Sequence, residues 1–471
     1  MLSFFRINDP YRLLILLLAI LIVRLPYFIS STPLIYELDW MIIGDTLNQS
    51  DVTLYKDLLT PMAPLAALTY TFFDFLFGGA RIAYQLAAVL LVAYQFSLFN
   101  NIMYKNKAYN ENSYIPAFIY ALLMQVFFDF FTLSPVLISL TFILLVLDNI
   151  YLRIENKLDD ATILKTGFFM GLAVLFYLPS IIFFIATLIS FALLTSLIFR
   201  RYMLFVYGFL LPIAAVSIYF IWFDGFSEML NNWLVFTITY TNESLISIWS
   251  FLMIIAVPAI FYLLALYRTF STSRFTNYQV RVQQVMFIMF LAAWGSWLLS
   301  NDKAPYQLVL FVPFVAFFIT HYVLLFKHKM KAEIFALVFA TLVIGINYYI
   351  YLNGSVINGL NNYYKLNVEE SIFKNEVVGK SLLVLGDSKS LYKDSKVGTP
   401  YYYWPLAKET WLNFENPRNI AAIYSSFKKE MPEVIIDENE VLEHVFSKMP
   451  TIASQYQRVS ARYYRLKVNE N

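Results

Sequence analysis

Over its first three quarters this chain alternates apolar stretches of about 15 to 22 residues with short polar breaks, a longer period than water-soluble helices and strands show. A helix that crosses a bilayer needs roughly 20 mainly apolar residues, because hydrocarbon offers no partner to backbone N–H and C=O groups. Eleven stretches meet or approach that length: 11–30, 82–103, 114–131, 134–152, 165–179, 180–199, 202–222, 246–267, 283–299, 305–326 and 333–352. The pattern predicts an α-helical polytopic membrane protein with about 11 transmembrane helices. The first stretch leads into no small-residue cleavage site and is expected to persist as a helix.

After residue 352 the pattern changes and a polar segment begins. SLLVLGD (381–387), EVIID (433–437) and ARYYRLKV (461–468) are short, rich in β-branched or aromatic residues and bounded by turn formers, which predicts strands. PRNIAAIYSSFKKEM (417–431) has helical spacing and lysines near its end. A small α/β domain over 353–471 is expected. The Gly in LVLGD is followed by neither GxGxxG nor GxxxxGK and reads as a turn rather than a nucleotide loop.

Composition agrees with a membrane protein and removes several alternatives. Of 471 residues 59% are hydrophobic and only 14% charged, and a net charge of +2 gives no sign of nucleic acid as a partner. The absence of Cys excludes disulfides, thiolate nucleophiles and Cys-bound metals. His321, His328 and His444 lie too far apart for a zinc motif.

Charge also orients the chain, since basic residues in short loops stay on the cytoplasmic side. With the N-terminus inside, fifteen Lys and Arg, from Arg6 and Arg12 to Lys329 and Lys331, fall on the inner side, while the outer loops between the crossings hold Lys56, Arg81 and Lys303 alone. The polar domain is then extracytoplasmic, as expected for a protein of the bacterial inner membrane. A crossing by PMAPLAALTYTFFDFLFG (61–78) would move every later basic loop outside. That segment is predicted to be an amphipathic or re-entrant helix on the outer surface.

About 50 residues separate the first two crossings, far more than a connection requires. They contain RLPYF (24–28), PLIYELDW (33–40), IIGDTL (42–47), LYKDLLTPMAPL (54–65) and FGGARIAYQLAAVLL (77–91). An Arg late in the first helix, an acid after a short turn, LY-x-D, a Pro-Leu pair opening an apolar helix and FG-x-x-R resemble the GT-C family of integral membrane glycosyltransferases. The nearest branch is that of protein O-mannosyltransferases and aminoarabinose lipid A transferases. NDKAPYQLVLFVPF (301–314) is similar to a late family segment in which a polar residue precedes Tyr and a Pro-containing helix.

The resemblance implies a GT-C-like module over 1–352, with the site in outer loop 31–81, and an extracytoplasmic α/β domain. It implies transfer of a sugar from a polyprenyl-phosphate-linked donor in the bilayer to a protein, lipid or glycan acceptor. Asp39 corresponds first, and Glu37 second, to the family's acidic base or acceptor-orienting group. Trp40 stands where many relatives carry a second acid. Asp129 matches the region of another functional acid, Asp57 recurs in the LY-x-D pattern, and some members add a divalent metal, for which carboxylates favour magnesium or manganese.

The residues themselves support parts of this chemistry. Transfer to a hydroxyl needs a proton acceptor, and a partly desolvated carboxylate suits that role. Charge on the departing phosphate needs fixed cations, for which Arg24, Lys56, Arg81 and Lys303 are the outer-side candidates. Arg24 lies in an apolar helix, where a charge costs roughly 2.5 to 3.5 kcal/mol, so it should meet protein, water or an anion; snorkelling or pairing with Asp39 or Asp57 is the structural alternative. YYYW (401–404) suits packing, a membrane interface or sugar stacking. Two other classes stay open: a non-catalytic GT-C-like subunit of a secretion, motility or envelope-assembly complex, and a transporter, against which the scarcity of midplane charges and the lack of a visible inverted repeat speak.

Overall fold

The computed structural model describes residues 1–7, 9–29, 33–49, 52–154, 159–194, 198–240, 244–271, 275–353, 363–368 and 373–467. The first long helix, α1 (Tyr11–Ile29), is followed by two shorter ones, α2 (Ile35–Leu47) and α3 (Pro64–Phe77). Next come α4 (Arg81–Lys105), α5 (Ile115–Leu123), α6 (Pro135–Ile154), α7 (Asp160–Phe176) and α8 (Ile181–Leu194). The helical series ends with α9 (Phe199–Trp222), α10 (Ile248–Phe270), α11 (Asn277–Leu299), α12 (Val312–Leu324) and α13 (Lys329–Asn353).

Each predicted span contains one of these helices, but among the described residues only eight helices are long and apolar enough to cross a membrane. Spans 114–131, 165–179 and 180–199 hold the shorter α5, α7 and α8. The causes are local. α5 stops at Leu123 and the chain turns before a 3-10 turn at Phe128–Phe131, where every residue from 115 to 137 is buried; broken backbone at membrane depth is tolerated only inside protein. α7 starts five residues earlier than predicted, because the Asp159 side chain accepts from Thr162 N at 2.8 Å and caps it. Its end is set by Pro179, in the 3-10 turn Leu178–Ser180.

Small residues bring α7 and α9 together. A Cβ at Gly167 would overlap the Phe205 carbonyl oxygen, and one at Gly208 would overlap that of Leu164. Without a hydrophobic drive between helices in lipid, such close backbone contact is what holds two helices together.

By compactness the chain forms two units: Met1–Thr32, Arg81–Val216 and Thr241–Leu366 in one; Pro33–Ala80, Ser217–Tyr240 and Asn367–Asn471 in the other. The second unit thus joins the long first loop to the C-terminal region. Its sheet consists of β1 (Ser381–Leu385), β2 (Lys396–Val397), β3 (Val434–Asp437), β4 (Tyr456–Ser460) and β5 (Tyr463–Leu466), in the order β2-β1-β3-β5-β4. β1 pairs in parallel with β2 and β3, while β5 runs antiparallel to β3 and β4. Helices α14 (Trp404–Leu412), α15 (Pro417–Lys429) and α16 (Leu442–Lys448) cover it, so that Leu383, Leu385 and Ile435 share a core with Trp411, Phe427 and Val445. The three predicted strands correspond to β1, β3 and β5, and the predicted helix to α15.

α2 and α3 pack closely within this unit. Gly44 makes the approach possible: a Cβ there would lie 2.7 Å from Tyr70 O. Trp40, buried, stacks on Tyr70 with centroids 5.8 Å apart. With 14 residues α3 is about 21 Å long, too short for a roughly 30 Å hydrocarbon core. It is apolar on both sides rather than amphipathic: Ala66, Ala67 and Tyr70 are buried while Leu68, Phe72, Phe75 and Leu76 are exposed.

Gly208→Leu should therefore lower the unfolding midpoint of the detergent-solubilised protein, by an overpacking cost of about 1–3 kcal/mol or more. Gly345→Ala, where a new Cβ meets nothing within 4 Å, should leave the fluorescence melt unchanged or raise it.

Candidate functional site

Within the helical unit the informative residue is Arg24, fully buried on α1. The break after α5 explains how a guanidinium is accommodated there. A helix C-terminus leaves carbonyls without intrahelical partners, and Arg24 Nη2 donates to one of them, Met124 O, at 3.2 Å. Arg24 Nε donates to Gln125 Oε1 at 3.2 Å, and the guanidinium lies 4.3 Å from the centroid of Phe131. Asn347 completes the arrangement, donating to Gln125 O at 2.9 Å and accepting from the Tyr27 hydroxyl at 2.9 Å. Among the described residues no carboxylate pairs with Arg24, and its buried Nη1 has no hydrogen-bond partner. The same segment lines an apolar cavity of about 110 Å³ through Leu123, Val126 and Phe130, opposite Tyr262, Trp294 and Phe311.

In the second unit the acidic stretch of the first loop forms α2. Pro33 O accepts from Val368 N at 3.2 Å, and Leu34 bridges Asn367. Glu37, buried at the third helical position, accepts from Leu34 N at 3.3 Å. Leu34 has no side-chain oxygen to return, so only the acidic half of a capping box forms. Asp39, half a turn further on, is directed to the C-terminal domain. Its Oδ1 accepts from Lys389 Nζ at 2.9 Å and from the Tyr402 hydroxyl at 2.6 Å. Oδ2 accepts nothing among the described residues. Burial, followed by the charge of Asp39, raises the Tyr402 hydroxyl well above its usual range, so it donates as a neutral phenol.

The remaining candidates are dispersed. Asp57 accepts from Thr53 N at 2.9 Å and pairs with Lys429 at 2.7 Å. Lys56 is exposed in the turn beside it, after Tyr55, whose φ of 69° is fixed by burial and by its hydroxyl donating to Met62 O at 2.6 Å. Arg81 opens α4, partly buried and engaged in contacts of its own. Asp129 is buried and accepts from Tyr306 N at 2.8 Å, capping the 3-10 turn Pro305–Phe311. Lys303 differs most from its expected role as a phosphate ligand. Its ammonium donates to Trp297 O, Leu298 O and Ser300 O at 2.9, 2.8 and 2.7 Å, which occupies all three donors at the end of α11.

The YYYW run is buried throughout and so acts in packing, with Tyr402 alone reaching a candidate carboxylate. Among the described residues no three His, Asp or Glu gather, and Asp39 faces an ammonium. The pKa of the Asp45 carboxyl lies above its ordinary value, raised by desolvation and by neighbouring Asp74, with Lys396 opposing.

Helices long and apolar enough to span a membrane, a helical first loop and a small C-terminal sheet make up a fold that solved membrane-protein structures share. The solved structure of ArnT from Cupriavidus metallidurans bound to undecaprenyl phosphate matches with a TM-score of 0.59 at 13% identity, over 97% of this chain and 98% of that one. The apo state of the same protein gives 0.56 at 12% identity, over 96% and 97%. The apo oligosaccharyltransferase of Archaeoglobus fulgidus gives 0.47 at 10% identity, over 90% and 69%. No protein-family model and no curated protein sequence matches the chain. At these identities the likeness establishes the fold of an integral membrane protein, and the activity has to be argued from the site.

Asp57 gives a test of the structural assignments. Burial alone would raise its carboxyl, but the bonds from Lys429 and Thr53 outweigh that and hold it below the usual range. A carboxyl lowered in the folded state stabilises above its unfolded value, and that contribution is lost as pH falls through the folded value. Asp57→Asn should lower the melting temperature at pH 7 modestly, by about 1 kcal/mol or less for so exposed a pair. The difference from wild type should shrink as pH falls below about 4 and vanish only below the lowered folded-state value; a difference constant with pH would refute the assignment.

Proposed function

We propose that this protein is a membrane glycosyltransferase that moves a sugar from a polyprenyl-phosphate-linked donor to an acceptor at the extracytoplasmic face. The observation that carries the proposal is Arg24, a buried guanidinium that has, among the described residues, no carboxylate partner and no partner for Nη1. An uncompensated charge inside apolar surroundings is costly, and a phosphate would both pair it and use the open N–H. The apolar cavity lined by the neighbouring segment suits hydrocarbon of the same lipid. The undecaprenyl phosphate bound by ArnT, a protein of the same fold, supports this ligand class.

In this reading Arg24 holds the donor phosphate and offsets the charge it gains as the sugar leaves. Asp39 supplies the base. The acceptor hydroxyl passes its proton to Oδ2 as its oxygen bonds the anomeric carbon. The bond from that carbon to the phosphate oxygen breaks, and its electron pair stays on the phosphate. Glu37, Asp57, Asp129 and Lys303 serve local structure. The positive-inside count supports an N-terminus in the cytoplasm and a C-terminal domain on the outer side of the membrane, which this reading takes to be a bacterial inner membrane.

Two variants test the reading on full-length protein in nanodiscs. Arg24→Met should weaken binding of undecaprenyl phosphate about 30-fold or more, the loss expected when one partner of a buried charged contact is removed. Asp39→Asn should bind the lipid as wild type does and lower turnover of undecaprenyl-phosphate-linked sugars about 100-fold or more. Equal lipid affinity in Arg24→Met would overturn the phosphate site. Lipid binding without turnover by wild type would instead identify a non-catalytic subunit.

A further inference from the structure

We infer that Lys389 and Tyr402, both from the C-terminal domain, are the positioning residues that fix the Asp39 carboxylate for proton transfer. This rests on the reading of Asp39 as the base and adds the C-terminal domain to the catalytic apparatus, which that reading alone does not require. Both donors converge on one oxygen, Oδ1, at 2.9 and 2.6 Å. Two charge-assisted bonds to a single oxygen fix the plane of the carboxylate and leave Oδ2, with its lone pairs, as the acceptor of an incoming proton.

The donors are themselves held. Tyr402 packs edge-on against Tyr392 with centroids 5.1 Å apart, and the Tyr392 hydroxyl accepts from Val384 N on β1 at 2.9 Å. Lys389 opens the 3-10 turn Lys389–Asp394, and its ammonium lies 4.6 Å from the centroid of Tyr403 as well as against Asp39. The orientation of Asp39 is thus referred through aromatic packing to the central strands of the sheet. A purely structural ion pair would need neither the convergence on one oxygen nor the second donor. Side chains that orient a base in this way contribute by keeping the reacting atoms aligned, so their loss falls on turnover rather than on donor binding.

The test uses the full chain in nanodiscs with undecaprenyl phosphate and a panel of undecaprenyl-phosphate-linked monosaccharides as probes. A zero-length carbodiimide should join Lys389 to Asp39 in wild type, and the cross-linked peptide should be missing from Asp39→Asn. Its absence from wild type overturns the contact and the proposal. Lys389→Met and Tyr402→Phe should each lower kcat about tenfold or more, leave KM for the donor within about twofold and leave undecaprenyl phosphate binding unchanged. Lys389→Arg should recover most of the rate, and the exposed Lys393→Met should behave as wild type. Tyr402→Phe keeps the ring and its packing, so its rate separates the hydroxyl from any folding defect. Wild-type turnover unaffected by both substitutions overturns the positioning role while leaving the function intact. Wild type that binds lipid but turns over no donor overturns the function and this role with it.

Discussion

A bilayer leaves no buried charge without a partner, and in this protein that constraint falls on Arg24. The guanidinium is fully buried, and the helix that faces it ends after nine residues instead of spanning. The two features explain each other. The break exposes carbonyls that need a donor, and Arg24 takes Met124 O while Asn347 takes Gln125 O. What the described residues leave unsatisfied is Nη1 and the net positive charge. An anion with its own hydrocarbon anchor meets both demands, which is why a lipid phosphate fits better than a soluble one.

The second unit shows a different economy of polar groups. Its acidic first-loop residues are distributed between helix ends, ion pairs and one carboxylate oxygen without a partner. Glu37 caps the start of α2, and Asp57 closes a turn against Lys429. Trp40, at a position where the family resemblance suggests a second acid, packs on Tyr70 instead. A single carboxylate held by two donors is therefore the arrangement this chain offers. The exposed apolar row of α3, Leu68, Phe72, Phe75 and Leu76, belongs to the same unit and suits contact with lipid rather than water.

The parts legible in the sequence were those set by local chemistry. Span positions follow from hydropathy over about 20 residues, and β1, β3 and β5 follow from short β-branched runs. The expense of Arg24 in an apolar helix could be read directly. Three kinds of information were hidden. Helix breaks depend on tertiary partners: nothing near Leu123 announces that Arg24 will take a carbonyl there. Long-range pairs have no local trace, and Tyr402 lies 363 residues from Asp39. Side chains with several donors can be used up locally, as Lys303 is by the end of α11. β2, two residues long, and β4, mostly exposed, carry too little apolar pattern to be seen.

The central claim is that a lipid phosphate completes the coordination of Arg24. A cryo-EM structure of the full-length protein in nanodiscs with added undecaprenyl phosphate tests it most directly. The account predicts phosphate density with an oxygen about 3 Å from Arg24 Nη1 and isoprenoid density running into the cavity lined by Leu123, Val126 and Phe130. Lipid phosphate bound elsewhere, with Nη1 still unpaired, would contradict it.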